Sequence, residues 1–149
     1  MTSRILFVCL GNICRSPSAE GVFRALSEEA GKALEIDSCG TGDWHVGKAP
    51  YGPAIAAAAA RGYDLTPLRA RQLDVADFDH FDLILAMDEA NRADIEALRP
   101  AGNRTPVRLF LDYAPETGVA EVPDPYYTRD FDAALDLVEA ASRGLLASL

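Results

Sequence analysis

A short apolar run near the start of the sequence is followed at once by a loop and then by the signals that begin a helix. Residues 5–8 are β-branched, aromatic or aliphatic, which is typical of a buried strand. Ser16 is interpreted as an N-cap and Pro17 as the first helical residue, because both residue types favour these positions. The sequence therefore predicts a loop between a strand and a helix.

This loop contains a thiol in a setting that favours anion binding. Backbone N–H groups at the start of a helix have no partner within the helix, and the helix dipole adds positive potential, so a tetrahedral dianion fits there. Gly11 allows the chain to bend towards the anion, and Arg15 offers a planar fork to two phosphate oxygens. The amides and Arg15 also favour the thiolate form of Cys9. The pattern points to phosphoryl transfer with Cys9 as nucleophile.

Strand and helix signals alternate along the rest of the chain. Further apolar strands are predicted at residues 34–38, 82–87 and 107–111. Helical spacing of apolar residues is found before Gly31, at 52–61, up to about Leu98 and from Phe131 onwards. The alanine run at 56–60 indicates a high-propensity helix that packs closely on a sheet.

Such alternation predicts an α/β fold with a four-stranded parallel sheet and helices on both faces. We expect a single domain over residues 1–149, arranged as a three-layer, Rossmann-like sandwich. Ligands of such sheets bind beyond the carboxyl ends of the strands. Cys9, Ser38 and Asp88 all fall at predicted strand ends, so the site is expected there.

Charge and cysteine content argue against several classes of partner. A net charge of −9 disfavours nucleic acid or an anionic membrane surface as the main partner. The apolar stretch at residues 5–10 is too short for a signal-peptide core, and no segment approaches the ~20 apolar residues that span a bilayer. Three cysteines suit a reducing compartment, and His45 and His80 lack metal-ligand spacing. We expect a cytoplasmic monomer without metal or cofactor.

The loop at residues 8–17 resembles the active-site signature of the low-molecular-weight protein tyrosine phosphatases. Other segments are similar to parts of the same family, and they lie at 38–44, 70–72, 81–88 and 123–127. The resemblance covers nearly the whole chain. It implies the phosphotyrosine phosphatase I type of fold and hydrolysis of phosphotyrosine through a cysteinyl-phosphate intermediate.

Departure of the phenol requires an acid, because a phenoxide with a pKa near ~10 leaves poorly at neutral pH. The residues alone leave several candidates open, namely Asp112, Glu116, Glu121, Asp124 and Asp130. Asp124 lies between two prolines that restrict its backbone. The family resemblance implies that Asp124 protonates the leaving group and later deprotonates the attacking water.

The resemblance also implies roles for residues around the nucleophile. Arg15 and the loop would bind the phosphoryl group, the loop residues being Leu10, Gly11, Asn12, Ile13, Cys14 and Ser16. The Ser16 hydroxyl would donate a hydrogen bond to the Cys9 sulfur, and Ser38 would brace Asn12. Asn12 also suits a left-handed turn position.

The other two cysteines have simpler alternatives. Cys14 is expected to capture an oxidised Cys9 as a disulfide, or else to be a small buried residue. Cys39 is expected to follow a strand and to lie in the core.

Three aromatic residues are expected to form the walls of the cleft. Trp44, Tyr126 and Tyr127 lie in segments that resemble the family's cleft, where flat rings can sandwich a phenyl ring. Ile13 agrees with this expectation, because family members that act on phosphoarginine resemble this chain but have threonine there. The resemblance therefore favours aryl phosphates.

Leu68 departs from the family pattern, which commonly has a histidine at this position. In the family that histidine belongs to a polar network behind the loop, together with the residues matched by Ser16 and Asp88. We expect an altered network here, with the breakdown of the phosphoenzyme affected first.

Two other functions stay open. Arsenate reductases with the same loop need two further redox cysteines near the third strand, and residues 86–91 contain none. A phosphotyrosine-binding module without turnover would need neither a thiolate nor an acid. As an enzyme, the protein is expected to act on tyrosine-phosphorylated proteins, with a bacterial tyrosine kinase as one candidate.

Overall fold

The computed structural model describes residues 2–149, in which strands and helices alternate as the sequence predicts. The strands are β1 (Arg4–Cys9), β2 (Glu35–Gly40), β3 (Leu83–Ala86) and β4 (Val107–Leu109). The helices are α1 (Arg15–Glu29), α2 (Gly52–Ala59), α3 (Asp77–His80), α4 (Glu89–Leu98), α5 (Pro125–Thr128) and α6 (Phe131–Ser148). Short 3-10 turns follow β4 at Phe110–Tyr113 and Pro115–Thr117.

The four strands form one parallel sheet in the order β2-β1-β3-β4. Successive side chains of β1 point to opposite faces, as the pleat of a strand requires. Ile5 and Phe7 join the core beneath α1 and α6, whereas Leu6 and Val8 join a second core beneath α3 and α4. The predicted three-layer α/β fold is confirmed.

Phe7 anchors the larger core. Its ring centre lies 5.7 Å from that of Phe23 in α1 and 5.1 Å from that of Phe110, both in edge-on contact. Aromatic pairs in this geometry add about 0.5–1.5 kcal/mol beyond the area they bury. The end of β1, where Cys9 lies, is therefore held by rigid packing.

The start of α1 differs from the prediction. The helix begins at Arg15 with Cys14 as N-cap, so the assignment of Ser16 as N-cap and of Pro17 as first helical residue is wrong. Proline is tolerated in the first turn because the first N–H groups of a helix have no acceptor within it. The Ser16 hydroxyl is thus released from capping and turns towards the loop.

Other bounds also shift. β2 extends to Gly40, so Cys39 lies inside the strand and is fully buried rather than following it. β4 ends at Leu109, because the chain tightens into the 3-10 turn at Phe110.

Helix α2 ends at Ala59, before Gly62 in a left-handed conformation at φ 90°. Its buried residues are Ala54 and Ala58, and its main contacts are with α6. The prediction that the alanine run packs on the sheet is therefore wrong. Small side chains instead allow two helices to approach closely.

No helix within the described residues 2–149 has the length and apolar character needed to cross a membrane.

Candidate active site

The loop between β1 and α1 wraps around the sulfur of Cys9. The backbone N–H of Asn12 donates to this sulfur at 3.2 Å, and the Ser16 hydroxyl oxygen lies 3.0 Å from it. Asn12 has a left-handed backbone with φ 56°, a conformation that asparagine adopts more readily than most residues. The tight turn is thus at Asn12, not at Gly11, where the sequence placed the bend.

Other loop amides are free to bind an anion. Within residues 2–149, the N–H groups of Gly11, Ile13 and Cys14 donate to no protein acceptor. They precede the first turn of α1, where the helix dipole adds positive potential. These amides can therefore donate hydrogen bonds to the oxygens of an anion.

The Asn12 side chain organises the space behind the loop. Its Nδ2 donates to Ser16 Oγ at 2.7 Å and to Ser38 Oγ at 3.0 Å, and its Oδ1 accepts from the backbone N–H of Arg71 at 3.0 Å. Gly40 permits the approach of β2, because a Cβ there would lie 2.7 Å from the carbonyl oxygen of Leu10. The predicted contact between Ser38 and Asn12 is present.

Glu20 extends this network and was not foreseen from the sequence. The residue is 4% exposed, and its Oε1 accepts from Ser38 Oγ at 2.6 Å. Arg24 donates to its Oε2 at 2.7 Å. Burial raises the pKa of the Glu20 carboxyl above its ordinary value, while the bonds from Ser38 and Arg24 oppose that change. The only signal in the sequence is that Glu20 lies between apolar residues of α1.

Arg15 is buried and points across the carboxyl end of the sheet. Its Nη1 donates to Asp88 Oδ2 at 2.7 Å and to the carbonyl oxygen of Val122 at 3.0 Å. Its Nη2 lies 3.6 Å from Asp124 Oδ2. Burial alone would lower the pKa of Arg15, but negative charge at Cys9 and the Asp88 bond outweigh it and raise the pKa. The guanidinium is thus held charged beside the sulfur.

Ser16 and Asp88 share no hydrogen bond, so the two residues that match the family's network belong to separate groups of contacts here. Ser16 contacts Cys9, Asn12 and the carbonyl oxygen of Cys39. Asp88 instead pairs with Arg15 and caps α4 by accepting from Asn91 N at 2.7 Å. Asp88 therefore keeps two partners although Leu68 replaces the family histidine.

Asp124 is the N-cap of α5, a short helix where the sequence predicts only a loop. Its Oδ1 accepts from the backbone N–H of Tyr126 at 3.0 Å, and Pro125 is the first helical residue. The cavity above Cys9 is not lined by any of the other candidate acids, namely Asp112, Glu116, Glu121 and Asp130. Of the five acids that the residues alone leave as candidates, Asp124 is the one that lines this cavity.

A cavity of about 370 Å³ opens above the loop. Its lining residues are Cys9, Leu10, Gly11, Ile13, Cys14, Arg15, Trp44, His45, Asp124, Tyr126 and Tyr127. Trp44 is 64% exposed and Tyr127 is 73% exposed, so both rings have accessible surface that can pack against an aromatic ligand. His45 was not singled out as a site residue from the sequence, although its place beside Trp44 was a signal.

Cys14 is buried in the same loop as Cys9. Burial, followed by the negative charges of Asp124 and Cys9, raises the pKa of the Cys14 thiol to about 12. Cys14 therefore remains a neutral thiol at physiological pH. Cys9, Cys14 and Cys39 are all free thiols in the structure.

No group of three or more His, Cys, Asp and Glu side chains within residues 2–149 is arranged to hold a metal ion.

Fold and loop together define a class of α/β protein that binds a tetrahedral anion above a cysteine at the end of the first strand. The chain matches the family model described as low molecular weight phosphotyrosine protein phosphatase over residues 4–149. The chain belongs to this family.

Two curated relatives illustrate the match. The low molecular weight protein-tyrosine-phosphatase YfkJ of Bacillus subtilis is 39% identical over 147 residues, with 97% of this chain and 94% of the relative covered. The low molecular weight protein-tyrosine-phosphatase of Streptomyces coelicolor is 46% identical over 156 residues, with 100% and 94% covered.

Solved structures agree. The crystal structure of YfkJ superposes with a TM-score of 0.94 at 38% identity, covering 99% of this chain and 94% of the other. The crystal structure of a Drosophila arginine phosphatase superposes with a TM-score of 0.92 at 28% identity, covering 99% and 97%. Because this second protein is named for a different substrate, the shared fold is compatible with both substrates.

Proposed function

We propose that the protein hydrolyses phosphotyrosine monoesters, with Cys9 as nucleophile, Arg15 as phosphate ligand and Asp124 as general acid and base. One observation carries the proposal. These three side chains come from the end of β1, the start of α1 and the start of α5, and they line the same cavity. A nucleophile, a fixed cation and an acid within one cavity are the groups that transfer of a phosphoryl group to sulfur requires.

In the first step the Cys9 thiolate forms a bond to phosphorus while the bond from phosphorus to the phenol oxygen breaks. Asp124 gives its proton to the departing oxygen. Arg15 and the free loop amides stabilise the equatorial oxygens of the transition state.

In the second step Asp124 removes a proton from water, and the water oxygen bonds to phosphorus as the sulfur–phosphorus bond breaks. Cys9 leaves as a thiolate, which can accept a hydrogen bond from the Ser16 hydroxyl. The products are inorganic phosphate and the free enzyme.

Pocket chemistry supports an aryl substrate. Ile13 is 9% exposed and presents an apolar side chain to the cavity, which is flanked by the rings of Trp44, Tyr126 and Tyr127. A guanidino phosphate would lose hydrogen bonds to water against such walls, whereas a phenyl ring would not. We therefore infer a preference for phosphotyrosine over phosphoarginine.

The proposal is tested with three peptides of one sequence that differ only in the modified residue: phosphotyrosine, phosphoserine or phosphoarginine. Release of inorganic phosphate is measured for the wild type and for Cys9→Ser. We expect hydrolysis of the phosphotyrosine peptide alone, and none by Cys9→Ser. Preference for phosphoarginine, or tight binding without release, would refute the proposal.

We further propose that the enzyme is a cytoplasmic monomer. The buried free thiols Cys9, Cys14 and Cys39 support a reducing compartment. The family resemblance supports tyrosine-phosphorylated proteins as substrates, a bacterial tyrosine kinase among them. The elution volume of the purified protein in size-exclusion chromatography tests the monomer.

A further inference from the structure

The guanidinium of Arg129 is held in place beside the pocket wall without being neutralised. Its Nη1 donates to the carbonyl oxygen of Tyr126 and to the hydroxyl of Tyr51, both at 3.2 Å, and its Nη2 donates to the same hydroxyl at 3.2 Å. The guanidinium carbon lies 5.3 Å from the ring centre of Tyr51 and 5.6 Å from that of Phe131. Neutral groups alone therefore fix the position of this cation.

Arg129 has no acidic partner in a chain with many acids. The sequence has 23 acidic and 14 basic residues, and within residues 2–149 none of the ion pairs includes Arg129. Other arginines such as Arg61 and Arg71 each have more than one carboxylate within reach. The Nε–H and the second Nη2–H of Arg129 donate to no protein acceptor, so a planar anion can still bind.

The cation also lies next to the cavity that would receive the phosphoryl group. Tyr126, whose carbonyl oxygen Arg129 binds, lines that cavity together with Cys14. Burial is the main cause that raises the pKa of Cys14, and the positive charge of Arg129 is among those that oppose it. Arg129 itself is exposed, so a bound substrate can reach it.

The backbone of Arg129 adopts a conformation that is unfavourable for arginine. Arg129 is the C-cap of α5 and has a left-handed conformation with φ 63°, which glycine or asparagine adopts more readily. The contacts with Tyr51, Tyr126 and Phe131 offset this cost.

We propose that Arg129 binds the carboxylate of an aspartate or glutamate close to the phosphotyrosine of the substrate, so that the enzyme favours acidic segments on that side. The inference rests on the proposed phosphatase function. Because the net charge of −9 repels acidic segments in general, an unpaired cation beside the wall of the cavity favours an acidic residue on that side.

The test uses phosphotyrosine peptides with one glutamate at each position from three before to three after the phosphotyrosine, each paired with a glutamine peptide. The ratio of kcat/KM for the glutamate and glutamine peptides is measured for the wild type, Arg129→Asn and Arg104→Asn. Asparagine suits the left-handed backbone at 129. Arg104 is exposed before β4, at the opposite end of the sheet, so its variant makes the same change in net charge.

We expect at least one position at which the wild type prefers glutamate, by up to about fivefold, the range of an exposed ion pair. That preference should fall with added salt, disappear in Arg129→Asn and persist in Arg104→Asn. Equal ratios in the wild type and Arg129→Asn would overturn the proposal. If kcat/KM of Arg129→Asn fell equally for the glutamate and glutamine peptides, the proposal would be overturned too, since Arg129 would then only order Tyr51 and Tyr126. Absence of any hydrolysis by the wild type would instead refute the phosphatase function.

Discussion

The hydroxyl oxygen of Ser16 lies 3.0 Å from the sulfur of Cys9 and accepts a hydrogen bond from the side-chain amide of Asn12 at 2.7 Å. Because Asn12 occupies one acceptor site of this oxygen, the hydroxyl hydrogen is free to point to the sulfur or to the carbonyl oxygen of Cys39 at 3.3 Å. A thiolate is the stronger acceptor. In the mechanism that we propose, this arrangement would stabilise Cys9 as a leaving group in the second step.

Ser16→Ala should slow the breakdown of the phosphoenzyme more than its formation. A hydrogen bond to a charged group contributes about 1.5–3 kcal/mol, which corresponds to a roughly tenfold to hundredfold lower rate. Stopped-flow release of 4-nitrophenol should show a larger burst before a slower steady state. Ser18→Ala is the matched control, because its hydroxyl donates to the carbonyl oxygen of Cys14 at 2.7 Å and does not contact the sulfur. Unchanged turnover in Ser16→Ala would contradict the assigned role.

Asp124→Asn should lower kcat/KM, which reports on the first step alone, about 10²–10⁴-fold for substrates with poor leaving groups. Asparagine can still cap α5 as Asp124 does, but it has no proton to give to the phenol. The loss should be greater for phenyl phosphate than for 4-nitrophenyl phosphate, whose phenol leaves more readily. Asp130→Asn, at the N-cap of α6, is the control. Equal losses for both substrates would exclude Asp124 as the acid.

Asp88 has two separable tasks, and two variants distinguish them. Asp88→Asn should weaken competitive inhibition by inorganic phosphate about tenfold, or about 1.4 kcal/mol, because Arg15 loses the partner that positions it. The cap on α4 should survive. Asp88→Ala should also lose the cap. Its free energy of unfolding, measured in urea, should be lower than that of Asp88→Asn by about 0.5–2 kcal/mol. Tighter phosphate inhibition in Asp88→Asn would show that Asp88 competes with phosphate instead.

Local rules predict where the candidate nucleophile, the candidate phosphate ligand and the strand ends lie. A thiol after an apolar strand and an arginine before a helix define Cys9 and Arg15, and parallel strands bring Ser38 and Asp88 to the same edge. The residues alone leave Asp124 among several candidate acids, and only the family resemblance implies that it is the acid. The chain fold was needed to show that it alone among them lines the cavity.

Contacts between elements that are distant in the sequence could not be predicted. Glu20 reads as an ordinary polar residue of α1, and only the pairing of β1 with β2 brings Ser38 to its carboxylate. The helices α3 and α5 have four residues each, too few for a periodic pattern. The N-cap assignment of Ser16 is wrong because serine is common at helix N-caps, and this general preference does not show that the hydroxyl contacts the sulfur of Cys9 instead.

Glu20→Gln should change how stability depends on pH. An unfolded glutamate ionises near ~4.3, whereas burial raises the pKa of Glu20 in the folded protein. Between these two values the unfolded state releases its proton first, so the free energy of unfolding of the wild type falls as pH rises. Glutamine does not ionise, so the variant lacks this fall.

Urea midpoints at about pH 4 and about pH 7 measure the effect. The stability of Glu20→Gln relative to the wild type should increase from the lower to the higher pH. Glu28→Gln, an exposed glutamate of the same helix, should show no such increase. A constant difference at both pH values for Glu20→Gln would contradict the effect of burial.

Covalent capture of the phosphoryl group by Cys9 is the central claim, and rapid quenching tests it most directly. Wild type and Cys9→Ser are mixed with excess 4-nitrophenyl phosphate, denatured within the first turnovers, and their intact masses and peptide masses are determined. We expect the wild type to gain the mass of one phosphoryl group on the peptide that contains Cys9, in amounts that match the burst of phenol. Cys9→Ser should gain none. A phosphoryl group on another residue, or turnover with no adduct under conditions that produce a burst, would contradict the account.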